Sequence, residues 1–238
     1  MPTQLWLALD VSDENDAIKY VKMLKDDVDV FKIGLELFTR GGCSIIEEIK
    51  KYDCQVFLDL KFHDIPNTVA KAVKNIVRHG VDYFDVHASG GTDMMKAAVE
   101  SAHEESERLS LPNIPKILAI TLLTSIDSGS LRKLSLEYEP EQLVGRWAKL
   151  AKQCGLDGVV SSIKEVDIIK KECGENFLTV TPGIRLVESD KEGDQLRIGT
   201  PKHAAELNAY AIVVGRPILN SNSPLDTIKI IRNQLEVN

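Results

Sequence analysis

Apolar positions along this chain follow two alternating rhythms. Short β-rich runs occur at Leu5–Asp10, Val30–Gly34, Gln55–Leu60, Tyr83–His87, Lys116–Leu122, Gly158–Ser162, Leu178–Thr181 and Ala211–Gly215, and they predict strands. Between them, Glu14–Lys25, Cys43–Lys51, Thr68–Arg78, Thr92–Arg108, Glu141–Gln153 and Ser223–Leu235 repeat apolar residues at helical spacing, as Val69, Ala72, Val73, Ile76 and Val77 do. Strands alternating with helices imply parallel pairing through right-handed crossovers. Eight such units in 238 residues predict an α/β fold, a (β/α)8 TIM barrel. A doubly wound open sheet is the alternative, but no GxGxxG follows the first strand and eight units suit closure better. No Pro/Gly/Ser-rich linker or shift in composition divides the sequence, so residues 1–238 are expected to form one domain.

Composition narrows the class. Hydrophobic residues make up 43% and charged residues 27%, with a mean hydropathy of −0.11. These values exclude a disordered, collagen-like or membrane-embedded chain. A net charge of −7 and no basic run argue against nucleic acid as a partner, while leaving room for a small anion held by a few placed cations. Cys43, Cys54, Cys154 and Cys173 form no CxxC pair, which predicts reduced, mostly buried thiols rather than a zinc site or disulfide scaffold. The first residues lack a basic n-region and a cleavage site, and no apolar stretch approaches transmembrane length, so a cytoplasmic protein is expected.

In a barrel of this kind, chemistry gathers at the C-terminal ends of the strands. The first predicted strand ends in Asp10 and the second carries Lys32. The third runs into Asp59-Leu60-Lys61-Phe62-His63-Asp64. Strand alternation turns Asp59 and Lys61 to the same side, and Asp64 follows where Pro66 opens a helix. Two ammonium groups and two carboxylates therefore converge on one mouth. Buried charges of this kind must pair, and the array suits chemistry that creates negative charge at carbon, where an ammonium stabilises a carbanion and then protonates it. A structural ion-pair network at the barrel rim is the alternative.

A phosphate site is expected after strands seven and eight, where backbone N–H groups and a helix start face the ligand. Gly215 and Arg216 end strand eight, and an arginine offers phosphate a two-pronged donor. The long polar connection from Gly183 to Gly199, with Arg185, Asp194 and Gln195, reads as a closing lid with Gly183, Gly193 and Gly199 as hinges.

These blocks together resemble the orotidine 5′-phosphate decarboxylase family. The run Phe57-Leu58-Asp59-Leu60-Lys61-Phe62-His63-Asp64-Ile65-Pro66-Asn67-Thr68 carries the resemblance most specifically. It continues in Leu7-Ala8-Leu9-Asp10, Phe31-Lys32-Ile33-Gly34, Val86-His87-Ala88, Thr121-Leu122-Leu123-Thr124-Ser125, Thr181-Pro182-Gly183-Ile184-Arg185, Gly193-Asp194-Gln195 and Val214-Gly215-Arg216-Pro217. The resemblance implies decarboxylation of orotidine 5′-monophosphate to UMP, the last step of de novo UMP biosynthesis, with no metal or organic cofactor. It implies Lys61 as proton donor to C6, Asp59 beside the departing carboxylate, and Lys32 in the charge network and at the ribose. It further implies a homodimer in which Asp64, Ile65 and Thr68 serve the partner's site. Asp10 would bind ribose hydroxyls, Thr124 the pyrimidine, and Gln195, Gly215 and Arg216 the phosphate, with Arg185 near the base of the lid.

Three other readings compete. A magnesium-dependent decarboxylase of 3-keto-gulonate 6-phosphate shares the strand-three motif, a sugar-phosphate sensor would use the pocket without turnover, and an aldolase would form a Schiff base on Lys61. His63 and His87 are expected to cap, pack or hydrogen-bond rather than react, Gly90-Gly91 to turn into the next helix, and Asp85 to join the polar layer or pair locally.

Overall fold

The computed structural model describes residues 2–186 and 197–236. Eight parallel strands close into a barrel in sequence order: β1 (Gln4–Ala8), β2 (Val30–Ile33), β3 (Gln55–Phe62), β4 (Tyr83–His87), β5 (Lys116–Ile120), β6 (Gly158–Val160), β7 (Leu178–Thr181) and β8 (Ala211–Val214). Closure runs through β8 and β1, from Gln4↔Ala211 to Leu7↔Val214. Each strand is joined to the next by a connection containing at least one helix, as the alternating pattern predicts.

Side-chain parity along the strands sorts the core into two layers. On β1 and just beyond it, Leu5, Leu7 and Leu9 belong to the layer between barrel and helices. Trp6 and Ala8 belong to the barrel interior with Val30, Phe57, Tyr83 and Val213. The helix Pro66–Arg78 meets the outer layer with Val69, Val73, Ile76 and Val77 buried, a stripe at i, i+4, i+7 and i+8. Its Pro66 occupies the first turn, where the missing N–H costs no helical bond. Asp13 caps the helix Glu14–Leu24 by accepting from the Asn15 N–H at 2.8 Å.

Aromatic packing fills the N-terminal end of the barrel. Trp6 is fully buried, with ring centroids 5.3 Å from Phe57 and 4.6 Å from Tyr83, and the Tyr83 and Tyr210 hydroxyls meet at 2.9 Å. Truncating such a side chain costs about 3–5 kcal/mol. Open space is left at the other end, where the strands point their C-termini.

Several elements differ from the sequence expectation. β1 stops at Ala8 and β5 at Ile120, so Asp10, Leu122 and Thr124 stand on loops, while β3 runs on to Phe62. Helices at Leu35–Gly41, Ser128–Lys133, Val166–Cys173, Pro201–Glu206 and Arg216–Leu219 add to those the periodicity predicts. Each is at most eight residues long, too short to display a clear periodic stripe. All four cysteines are free and three are buried. Among the described residues no helix is long and apolar enough to cross a membrane.

Candidate active site

The interior parity that buries Val30 and Phe57 places Lys32 and Asp59 one pleat further up the same strands. Register aligns Ala8 with Lys32, and Lys32 with Phe57. Lys32 Nζ lies 3.2 Å from both Asp10 Oδ1 and Asp59 Oδ2, and Lys61 Nζ donates to Asp59 Oδ1. Asp10, Lys32, Asp59 and Lys61 thus form a continuous chain of alternating charge. Burial opposes the Lys32 ammonium, yet Asp59 and Asp10 outweigh it and raise its pKa above the ordinary lysine value. Burial likewise opposes ionisation of Asp59, but Lys32 and Lys61 prevail and hold it well below the usual carboxylate range. The pair is ionised at neutral pH, as compensated buried charges must be.

Lys61 reaches this chain by a route that simple alternation does not describe. Register between β3 and β4 shifts between Leu58 and Phe62, and Lys61 adopts a φ of 53°, a left-handed conformation unusual outside glycine. The bulge re-aims the side chain toward Asp59. Its backbone N–H donates to Asp85 Oδ1 at 2.7 Å. Asp85, fully buried on β4, has a pKa raised well above the ordinary value by burial and by the Asp59 charge. His87, two residues on, stacks on His63 at 5.2 Å and hydrogen-bonds Ser89 Oγ at 3.0 Å. Burial, helped by His63 and Lys61, lowers its pKa to about 4. His63 thus packs on His87, and His87 both packs and hydrogen-bonds.

Across the mouth, a cavity of about 340 Å³ is lined by Asp10, Lys32, Asp59, Lys61, Thr124, Arg185, Gly215 and Arg216 together. Eight of the sequence-derived site residues thus share one pocket. Gly215 lets the chain pass close to Asp10, since a Cβ there would stand 3.2 Å from Asp10 Oδ2 and 3.3 Å from Ala8 Cβ. Asp64, Ile65 and Thr68 do not line this cavity. They sit on an exposed stretch beside it, with Ile65 66% exposed. Gln195, with Gly193 and Asp194, lies outside the described residues. The two flanking glycines are described. Gly199 donates to the Gly183 carbonyl at 3.1 Å and accepts from the Arg185 N–H at 2.9 Å. Gly199 also presses on Ile163, where a Cβ would stand 2.5 Å from Cγ2. Close packing, rather than hinge freedom, explains a glycine at position 199.

The sequence reading missed two features. Ser161, just past β6, is buried at the cavity wall, and its hydroxyl finds no hydrogen-bond partner among the described residues. Arg197 and Glu165 form a buried ion pair, and Arg197 Nη2 also donates to the carbonyls of Leu122 (3.0 Å) and Leu123 (2.9 Å). That guanidinium ties the chain leading into Thr124 to the turn after β6. Neither residue stands in a recognisable motif, and only the closed barrel brings them together.

Residues 3–231 match the family model described as the orotidine 5′-phosphate decarboxylase / HUMPS family. The chain belongs to that family. A relative named orotidine 5′-phosphate decarboxylase in Carboxydothermus hydrogenoformans is 48% identical, over 94% of this chain and 92% of that protein. One of the same name in Halalkalibacterium halodurans is 47% identical over 98% of each. Among solved structures, orotidine 5′-phosphate decarboxylase from Lactobacillus acidophilus matches with a TM-score of 0.84 and 34% identity, covering 99% of this chain and all of that one. The Methanocaldococcus jannaschii orotidine 5′-monophosphate decarboxylase, solved with the inhibitor BMP, matches at 0.76 and 27% identity over the whole of both chains. Family membership makes the chain an enzyme of the decarboxylase type, and the eight-stranded barrel is the fold these structures share.

Proposed function

We propose that this enzyme decarboxylates orotidine 5′-monophosphate to UMP and carbon dioxide, in de novo pyrimidine synthesis, on a single barrel domain. The observation that carries the reading is the Asp10–Lys32–Asp59–Lys61 chain lining the same cavity as Arg185 and Arg216. A cavity of about 340 Å³ falls in the range of small-ligand sites. Arg216, with Gly215 and Gln195, binds the phosphate, with Arg185 near the base of the lid; Asp10 and Lys32 hold the ribose; Thr124 contacts the pyrimidine.

In the chemical step the bond between C6 and the carboxylate carbon breaks, carbon dioxide leaves, and the electron pair stays on C6. No neighbouring π-system delocalises that pair. The Lys61 ammonium, held by Asp59, faces the developing charge with little reorganisation and then delivers its proton to C6, recovering one from solvent. Asp59 stands beside the departing carboxylate. Neither a metal nor an organic cofactor is required by this sequence of steps.

We further propose a homodimer in which Asp64, Ile65 and Thr68 complete the partner's site. Their exposure beside the mouth, outside their own cavity, supports it. Mixing Lys61→Ala and Asp64→Ala chains would then restore activity that neither has alone, because one site of each mixed dimer is intact.

Ultraviolet absorbance with orotidine 5′-monophosphate in EDTA tests the reaction. A spectral shift to UMP is expected, and Lys61→Ala should abolish it while UMP still binds. No shift, with or without magnesium, would overturn the reading and turn attention to the keto-sugar phosphate.

A further inference from the structure

We infer that Asp85 is a neutral, protonated carboxyl group that positions Lys61 and Asp59, a third acidic side chain serving the site without contributing charge. Asp85 lies on the interior face of β4, one pleat above Tyr83, and is 0% exposed. Its Oδ1 accepts the Lys61 N–H at 2.7 Å. Its Oδ2 meets no donor among the described residues, and the charge of the Asp59 carboxylate acts on the group and raises its pKa. Two ionised carboxylates cannot hydrogen-bond, because no proton lies between them. A proton on Asp85 Oδ2 makes that group a donor to Asp59 and removes the unsatisfied atom.

Charge balance agrees. Asp10, Lys32, Asp59 and Lys61 already compensate one another, and no cation forms an ion pair with Asp85 among the described residues. A fifth, unpaired charge at full burial would be far costlier than a neutral acid. The direction of its pKa, raised first by burial and then by Asp59, is the one this geometry demands.

The same carboxyl explains the strained bulge. Where register is lost between Leu58 and Phe62, the Lys61 N–H leaves the ladder and its φ turns to 53°. Such a conformation costs about 1–3 kcal/mol and persists when its surroundings over-determine it. Asp85 Oδ1 supplies the missing acceptor, and the protonated oxygen steadies Asp59, which in turn holds the Lys61 ammonium. Asp85 does not line the cavity, so its effect on a ligand passes through those two residues.

Asparagine at this position reproduces both bonds without a titrating proton. Infrared difference spectra of wild type against Asp85→Asn at neutral pH should show the carbonyl stretch of a protonated carboxyl group, lost in the variant. Asp85→Asn should keep kcat within about threefold, a fraction of one hydrogen bond. Asp85→Ala should lower kcat about a hundredfold, the scale of misplacing a catalytic group by an ångström, with the Kd for UMP little changed. The kinetic arms rest on the proposed reaction, whereas the spectrum does not. A wild-type enzyme inactive on orotidine 5′-monophosphate would sink that reaction and leave the infrared band as the test of protonation. Absence of the band, an Asp85→Asn variant as impaired as Asp85→Ala, or an Asp85→Ala variant with wild-type kcat would each overturn the assignment. Should Asp85→Ala fail to fold, the spectrum and the Asp85→Asn kinetics still decide.

Discussion

Replacing Arg197 by methionine tests the buried latch behind the pocket. Arg197 is 7% exposed and Glu165 1%, so the change strands a carboxylate in the interior. Removing one member of such a pair costs about 3–5 kcal/mol. The Leu122 carbonyl, itself buried, also loses its donor, whereas the more exposed Leu123 carbonyl can turn to water. At about 2–4 °C per kcal/mol for a chain of this length, the melting temperature should fall by roughly 6–20 °C. The loss should depend on pH with a definite sign. Burial already raises the Glu165 pKa above its ordinary 4.5, opposed by Arg197, and without Arg197 it climbs further. A carboxyl whose folded pKa is raised holds its proton better in the native state, so stability falls as pH rises through that interval. Urea unfolding at pH 5 and pH 8 should therefore show the larger deficit at pH 8. Adding Glu165→Gln should recover a substantial part of it by removing the stranded charge. A deficit below about 1 kcal/mol, the range of an exposed pair, or a double variant no more stable than the single, would refute the latch.

Three other substitutions separate chemistry from folding. A Cβ on Gly34 would stand 2.9 Å from Lys32 Nζ and 3.5 Å from Asp10 Oδ1, and its φ of −93° suits any residue. Gly34→Ala should thus displace the ammonium and lower kcat by about ten- to a hundredfold with little change in melting temperature; unchanged kcat would remove Lys32 from the network. At Gly158 the obstacle is backbone, since a Cβ there would stand 2.4 Å from the Leu178 carbonyl oxygen. Gly158→Ala should cost at least about 1–3 kcal/mol, read by denaturant melts, and a wild-type midpoint would contradict the β6–β7 spacing. Arg216→Ala should raise KM for the phosphorylated substrate by roughly ten- to a hundredfold, the worth of a hydrogen bond to a charged group, with a smaller effect on kcat; an unchanged KM would take Arg216 out of the phosphate site.

Strand and helix alternation, the eightfold count and the address of the chemistry at the strand ends were all legible in the linear chain. They depend on local periodicity, which burial on one or two faces writes directly into residue order. Asp59 and Lys61 were legible as neighbours for the same reason, since a compact motif keeps its members within a few residues, whereas Asp64 from the same motif stands outside the cavity. Lys32, Asp10 and Arg216 could be assigned to the mouth because the barrel rule supplies their positions, and the cavity does gather them.

The closed barrel decided the rest. Period-two alternation alone brings Lys61 beside Asp59, but the structure achieves this through a bulge with a left-handed residue, stabilised by Asp85 from the next strand. That partner lies 24 residues away, and nothing in local composition marks a carboxyl that must stay neutral. Glu165 and Arg197, 32 residues apart, likewise meet only after the chain has circled the barrel. Sequence alone determined which residue types could do the chemistry and near which strand ends. Tertiary structure determined their distances, their protonation and which of them support the others, because burial and Coulomb interactions act through space rather than along the chain.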